Sequence, residues 1–373
     1  MNRPSNVTEL LQALVRIPSV NPDGDPGTPS TGEAACAEYV AEFLRLAGAR
    51  VELEEVLPGR PNVVGFFPSN APGKKRVVFA PHLDTVSILG MTIDPFAAEE
   101  RDGRIWGRGA SDTKGPMAAM LWALWELREQ LPALGYAICF VGLVGEEAGQ
   151  HGSKAFVERH QADFAVIGEP TELGIVHTHK GSTWLHLTTR GRAVHASAPE
   201  RGENAIYKMM EVLRVLREKV IPGLSMFRDP VLGAPTASVG TIRGGSKINI
   251  VPDECHASVD LRTIPVQDRP GFVEGIVEEL RKACPDLEAS WHQSRPLWTD
   301  PAHPLIGALE RAGGHCCGAP WFCDAAVFAA AGIPAVATGP GSIAQAHTKD
   351  EWISVHDLQR GVAFYKAFLE QLG

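Results

Sequence analysis

Three short apolar runs in this chain each end at a residue that ligates metals. RVVFAP (76–81) runs into His82, YAICFVGLVG (136–145) into Glu146-Glu147, and FAVIG (164–168) into Glu169. Short apolar runs without alternation read as strands buried on both faces, the pattern of a parallel sheet covered by helices. In open α/β sheets, chemistry gathers beyond the carboxyl ends of the strands. A fourth acid, Asp112, sits in the glycine-rich loop GRGASDTKG (107–115) leading into a helix. A second histidine, His347, follows the glycine-rich stretch Thr338-Gly339-Pro340-Gly341-Ser342. Packing alone does not account for so many ligand-competent groups at one sheet edge.

The rest of the chain is consistent with such a sheet. Helical periodicity marks 7–16 and 31–47, with Thr31 a candidate N-cap and Gly48 a candidate stop. A strand is expected near 61–67. The segment 115–130 is apolar on nearly all faces, which predicts a sandwiched helix. The pattern changes after about residue 178. Strands at 183–190 and 193–197, helix 203–220, strands at 235–243 and 255–262, helix 271–284 and a strand at 287–293 follow. That order predicts a ferredoxin-like α+β unit. Helix 304–313, strand 334–338 and helix 355–371 return to the first style. The fold class is therefore α/β: a mixed, mostly parallel sheet covered by helices. A catalytic domain of 1–178 and 292–373 is expected to carry 179–291 as an insertion.

Composition removes several function classes. The 373 residues are 44% hydrophobic and carry a net charge of −9, without a basic patch that suggests nucleic acid. The cluster GKKR (73–76) reads as a solvated loop end. No apolar run approaches the about 20 residues of a membrane span. The N-terminus lacks the apolar core of a signal peptide. Seven cysteines without framework spacing read as reduced thiols, so a cytoplasmic setting is expected. Cys316, Cys317 and Cys323 fit no zinc spacing and read as structural.

Each candidate has an ordinary reading as well as a chemical one. Asp84, two residues after His82, points the same way on a strand and suits an imidazole N–H, which would fix the His82 tautomer. The alternative is a helix-capping Asp. Asp112 has two oxygens that can bridge two cations, or it caps the following helix. Glu146 and Glu147 are neighbours whose side chains diverge, so one can ligate while the other serves as general base; the alternative is a solvated loop. Together, His82, Asp112, Glu147, Glu169 and His347 exceed what one catalytic zinc needs. They fit two ions about 3.5–4 Å apart. The mixed nitrogen and oxygen set suits zinc, with cobalt or manganese as alternatives.

The order His82-x-Asp84, Asp112 in Ser-Asp-Thr-Lys-Gly, Glu146-Glu147, Glu169 and His347 resembles the M20 metallopeptidases across essentially the whole chain. The resemblance implies that His82 and Glu169 bind one zinc, Glu147 and His347 the other, and Asp112 bridges. It implies Glu146 as general base and Asp84 as the partner of His82. In the inserted unit, the segment ending at His195 is similar to the one holding the family's oxyanion-stabilising histidine. Asn249 and Arg262 match substrate-contacting positions, and the unit would serve as lid and homodimer contact. Gly339 and Gly341, in the run ending at His347, resemble the acetylornithine deacetylase branch and imply a substrate-side loop. The expected activity is hydrolysis of an N-acyl amino acid, with a di- or tripeptidase, a carboxypeptidase or a succinyl-diaminopimelate desuccinylase as alternatives. One departure is Trp321-Phe322-Cys323-Asp324, where many relatives carry Ser or Thr before the Asp.

Overall fold

The computed structural model describes residues 4–24, 31–70 and 73–373. They form two compact units. The first comprises Met1–His177, Thr299–Cys317 and Cys323–Gly373, and the second Thr178–Trp298 and Gly318–Phe322. Residue 291, the expected end of the insertion, falls inside strand Glu288–Ser294 of the second unit.

In the first unit the strands lie in the order Arg50–Leu57, Arg60–Phe66, Ala137–Gly142, Arg76–Pro81, Phe164–Gly168, Ala335–Thr338 and Gly174–His179. The middle four run parallel to one another. Covered on both faces, they have no reason to alternate in polarity, and they are almost entirely buried. Val77, Phe79, Phe140, Phe164 and Val166 join a core with helices Val7–Val15, Ala34–Leu46, Lys114–Glu126 and Val355–Glu370. Phe79 meets Tyr365 and Phe368 edge-on at 6.0 and 6.1 Å between centroids. Such aromatic pairs add about 0.5–1.5 kcal/mol beyond area burial. Alternate strand residues face the other side. There Phe156 of helix His151–Arg159 packs on Phe328 of helix Ala325–Ala330 at 5.6 Å.

The second unit is a four-stranded antiparallel sheet in the order Thr236–Gly244, Glu254–Thr263, Gly181–Arg190, Glu288–Ser294. Numbered along the chain, that order is 2-3-1-4 of a β-α-β-β-α-β unit, the ferredoxin-like arrangement. Helices Ala205–Val215 and Phe272–Arg281 bury Met209, Val212, Val277 and Leu280 against Leu185, Leu187, Val259 and Leu261. Alternate residues of the same strands, Trp184 among them, stay exposed.

Several expectations need correction. Residues 193–197 form no strand. Val194 accepts the N–H of Val251, and Ala196 donates to Asn249, so the segment is held by isolated pairings. The helix expected over 203–220 is helical only to Val215 in the α form; a wider turn, Leu216–Val220, and a short helix, Ile221–Ser225, continue it. Thr31 is not the N-cap. The helix begins at Ala34, and Glu33 at the cap position turns its carboxylate to Arg60. Gly48 does end that helix, at φ +88°, a conformation open to glycine at little cost. The strands Arg50–Leu57, Glu99–Arg101, Arg104–Trp106, Gly174–His179, His315–Ala319 and Trp352–Ser354 were not expected.

Candidate metal centre

Parallel pairing explains why the ligand-competent residues meet. Pro81 lies opposite Gly168, so the next residues, His82 and Glu169, leave the sheet side by side. His82 pairs with Leu143, so the turn at Glu146-Glu147 rises beside it. Thr338 lies opposite Gly168 on the other side, and the chain beyond it returns as the His347 segment. Gly145, at φ +74°, lets the backbone turn sharply before Glu146. Thr113 anchors the Asp112 loop by donating its hydroxyl to the carbonyl of Gly168.

Asp112 joins two clusters. One oxygen lies 3.1 Å from Nε2 of His82, and the other 3.4 Å from Nε2 of His347. His82, Asp112 and Glu169 form one group with ligand atoms within 4.8 Å of one another, and Asp112, Glu147 and His347 form another. Glu147 lies 3.1 Å from His347. Glu146 lies in a third group, with His82 and Glu147. His82, Asp112 and Glu169 are buried, Glu146 and Glu147 half-buried, and His347 exposed. His347 has φ 60°, a left-handed conformation that costs a non-glycine residue about 1 kcal/mol.

Asp84 does more than the spacing implied. Nδ1 of His82 donates to the backbone carbonyl of Asp84 at 2.9 Å, while the carboxylate is 3.5 Å away. The shorter contact is the one that orients the ring. The Asp84 carboxylate accepts the N–H groups of Glu146 and Glu147 at 3.1 and 3.0 Å and the amide of Asn21 at 2.7 Å. It therefore sets the turn that presents both glutamates.

The electrostatics describe acids that resist ionising together. Burial, reinforced by Glu169, Asp324 and Glu147, pushes Glu146 well above the usual carboxylate range against the pull of His82. Burial does the same to Glu169. Glu147 rises to about 6 through burial and the Asp112 charge. Asp324 also rises to about 6, through burial, although Ser153 donates to it at 2.5 Å. His347 is pushed up to about 10 by its bonds to Asp112 and Glu147. Burial opposes ionisation of Asp112, but His347 and His82 outweigh it and hold its pKa down. Among the described residues, Glu147 Oε1, Glu169 Oε1 and Asp324 Oδ2 are buried without a hydrogen-bond partner. Buried carboxylate oxygens without donors are costly, and cations are what such a set fits.

Of the remaining candidates, His195, Asn249 and Arg262 belong to the second unit and Gly339 and Gly341 to the first. Nδ1 of exposed His195 sits 2.8 Å from Ser197 Oγ, and its backbone pairs with Ile250, beside Asn249. Arg262 pairs with Asp260 at 3.1 Å and lies 5.9 Å from the Phe322 ring centre. Gly339 and Gly341 fill tight places within the first unit. A Cβ at Gly339 would stand 2.7 Å from the Glu169 carbonyl, and one at Gly341 2.6 Å from Ser111 Oγ. Close packing thus requires both glycines without reference to a substrate. Sequence reasoning missed Asn21, Ser153 and Glu351. Glu351 had a signal, since it follows His347 by four residues.

A sheet edge of this kind, with clustered imidazoles and carboxylates, defines a metal-dependent hydrolase of the α/β class. The chain belongs to peptidase family M20/M25/M40, whose profile matches residues 78–371. It is 31% identical to the acetylornithine deacetylase of Pectobacterium carotovorum subsp. carotovorum, over 95% of this chain and 94% of that protein. The acetylornithine deacetylase of Proteus mirabilis is 29% identical over 93% and 92%. Among solved structures, the M20 family metallo-carboxypeptidase Sso-CP2 from Sulfolobus solfataricus superposes with a TM-score of 0.81 at 20% identity, covering 98% of this chain and 99% of that one. The chain is a hydrolase acting on amide bonds, and its family implies a divalent metal. Among the described residues, no helix is long and apolar enough to cross a membrane.

Proposed function

We propose that the chain is a two-zinc hydrolase that cleaves the amide bond of an N-acyl amino acid. The observation that carries this reading is Asp112, whose two oxygens face two separate imidazole–carboxylate groups. His82 and Glu169 would hold one cation, Glu147 and His347 the other, with Asp112 shared. When bound, the cations would polarise the scissile carbonyl and ease deprotonation of water. Cobalt or manganese suits the same donors.

Glu146 is the proton carrier in this reading. Its carboxylate accepts a proton from the attacking water and passes it to the leaving amine. His195 would donate to the developing oxyanion. Arg262 and Asn249 would hold the substrate carboxylate, for which a planar guanidinium provides paired donors.

The test is a hydrolysis screen of the zinc-loaded protein against N-acetyl amino acids, N-succinyl substrates and dipeptides. N-acetyl amino acids should turn over fastest. Faster turnover of dipeptides would replace this reading with a peptidase on the same centre. In the same screen, Arg262→Ala should raise KM for substrates with a free α-carboxylate and change little for amidated ones. Equal losses on both would remove Arg262 from carboxylate recognition.

We further infer a homodimer formed through the second unit. Strand Thr236–Gly244 ends its sheet, and on it Val239 and Ile242 are 40% and 52% exposed. Sedimentation at micromolar concentration should report a dimer, and a monomer there removes the inference. Among the described residues no cysteine is joined in a disulfide, which supports a reducing, cytoplasmic setting.

A further inference from the structure

Glu351 follows His347 by four residues and is fully buried, yet it belongs to none of the ligand groups. Its carboxylate lies inside the loop that carries Asp112. Oε1 accepts the backbone N–H of Ser111 at 2.7 Å and of Asp112 at 2.8 Å. Oε2 accepts the N–H of Gly109 at 3.0 Å and a guanidinium N–H of Arg108 at 2.9 Å. The Glu351 carbonyl also accepts the N–H of Gly107 at 3.0 Å. Donors from most of the loop therefore converge on one residue of the His347 segment.

The chemistry of these contacts is specific to a carboxylate. Four N–H donors need four acceptor lone pairs in two directions, and an ionised carboxylate supplies them. Glutamine would turn its NH2 toward the donors of Gly109 and Arg108, leaving them unpaired in a buried place. Charge-assisted bonds of this kind are roughly twice as strong as neutral ones. The contacts also bridge about 240 residues of sequence. They tie the loop bearing the shared acid to the segment bearing the exposed His347.

We propose that Glu351 is the positioning residue of the metal centre, holding the Asp112 loop and the His347 segment in register before any cation arrives. This rests on reading Asp112 and His347 as cation ligands. A residue acting one bond behind the ligands typically changes metal affinity about 10–100-fold when replaced. His347 depends on this register more than His82 does, because His82 leaves a central strand.

The test is a calorimetric zinc titration of metal-free wild type and Glu351→Gln, with circular dichroism comparing their folds. Wild type should bind two ions. In Glu351→Gln the weaker binding step should lose roughly 10–100-fold in affinity, and the tighter step less. A folded variant with both affinities within about threefold of wild type would overturn the proposal, because a purely stabilising role predicts that result. A wild-type chain that binds no cation would overturn the metal reading itself, which is a different outcome. If Glu351→Gln does not fold, hydrogen exchange on metal-free wild type decides. The amides of Gly109, Ser111 and Asp112 should remain protected, and free exchange there would refute prior positioning.

Discussion

Glu146→Gln is expected to lower turnover by about 10²–10⁴-fold, the usual contribution of a positioned general acid–base, with fold and bound metal retained. Glutamine keeps the shape and removes only the ability to carry a proton. Both kcat and kcat/KM should fall together, as they do when an interaction made only in the transition state is lost. Glu146 also stands within ligand distance of His82 and Glu147, so a ligand role is the competing assignment. Metal analysis separates the two. Retained metal with lost turnover identifies the proton carrier, whereas loss of a metal ion would make Glu146 a ligand. Glu147→Gln provides the contrast, since it should weaken one cation site. Near-normal turnover in Glu146→Gln would overturn the assignment.

Removal of metal by chelation is expected to abolish hydrolysis and to lower the melting temperature of the first unit. Without cations, the charges of Glu147 and Asp324 oppose ionisation of both Glu146 and Glu169, and that of Asp112 opposes ionisation of Glu147 and Glu169. Buried oxygens of Glu147, Glu169 and Asp324 then lack partners. Binding to the folded state alone stabilises it by about 2.7 kcal/mol for each site when free metal is a hundredfold above its dissociation constant. For a unit of this size that is a shift of about 5–10 °C per site. Added zinc should restore both activity and melting temperature. Unchanged melting and unchanged activity after complete chelation, verified by elemental analysis, would refute a catalytic metal centre.

The buried strands were legible because of where they lie. Residues 76–81 and 164–168 are covered on both faces, so their sequences are continuously apolar and the first polar residue marks the sheet edge. That is why His82 and Glu169 stood out. Arg50–Leu57 was missed, since its sequence, RVELEEVL, alternates with charges as a partly exposed strand does. The residues 193–197 alternate too, yet their backbone groups find partners in 249–251 through isolated pairings instead of a ladder. Local pattern cannot choose between those outcomes, because the partner is remote.

The same division runs through the site. Residue type and spacing by themselves marked out the proposed donor set: two histidines and three acids, placed at strand ends or in glycine-rich loops. Only the tertiary structure decided how the set is held. Asp84 reaches across some sixty residues to the N–H groups of Glu146 and Glu147. Glu351 reaches much further to the Asp112 loop. The tertiary structure also brought together the atoms that crowd Gly339 and Gly341, which come from Glu169 and Ser111. Ligand identity is a property of single side chains and can be read along the chain. Ligand position depends on hydrogen bonds between segments that become neighbours only when the sheet and its loops have folded.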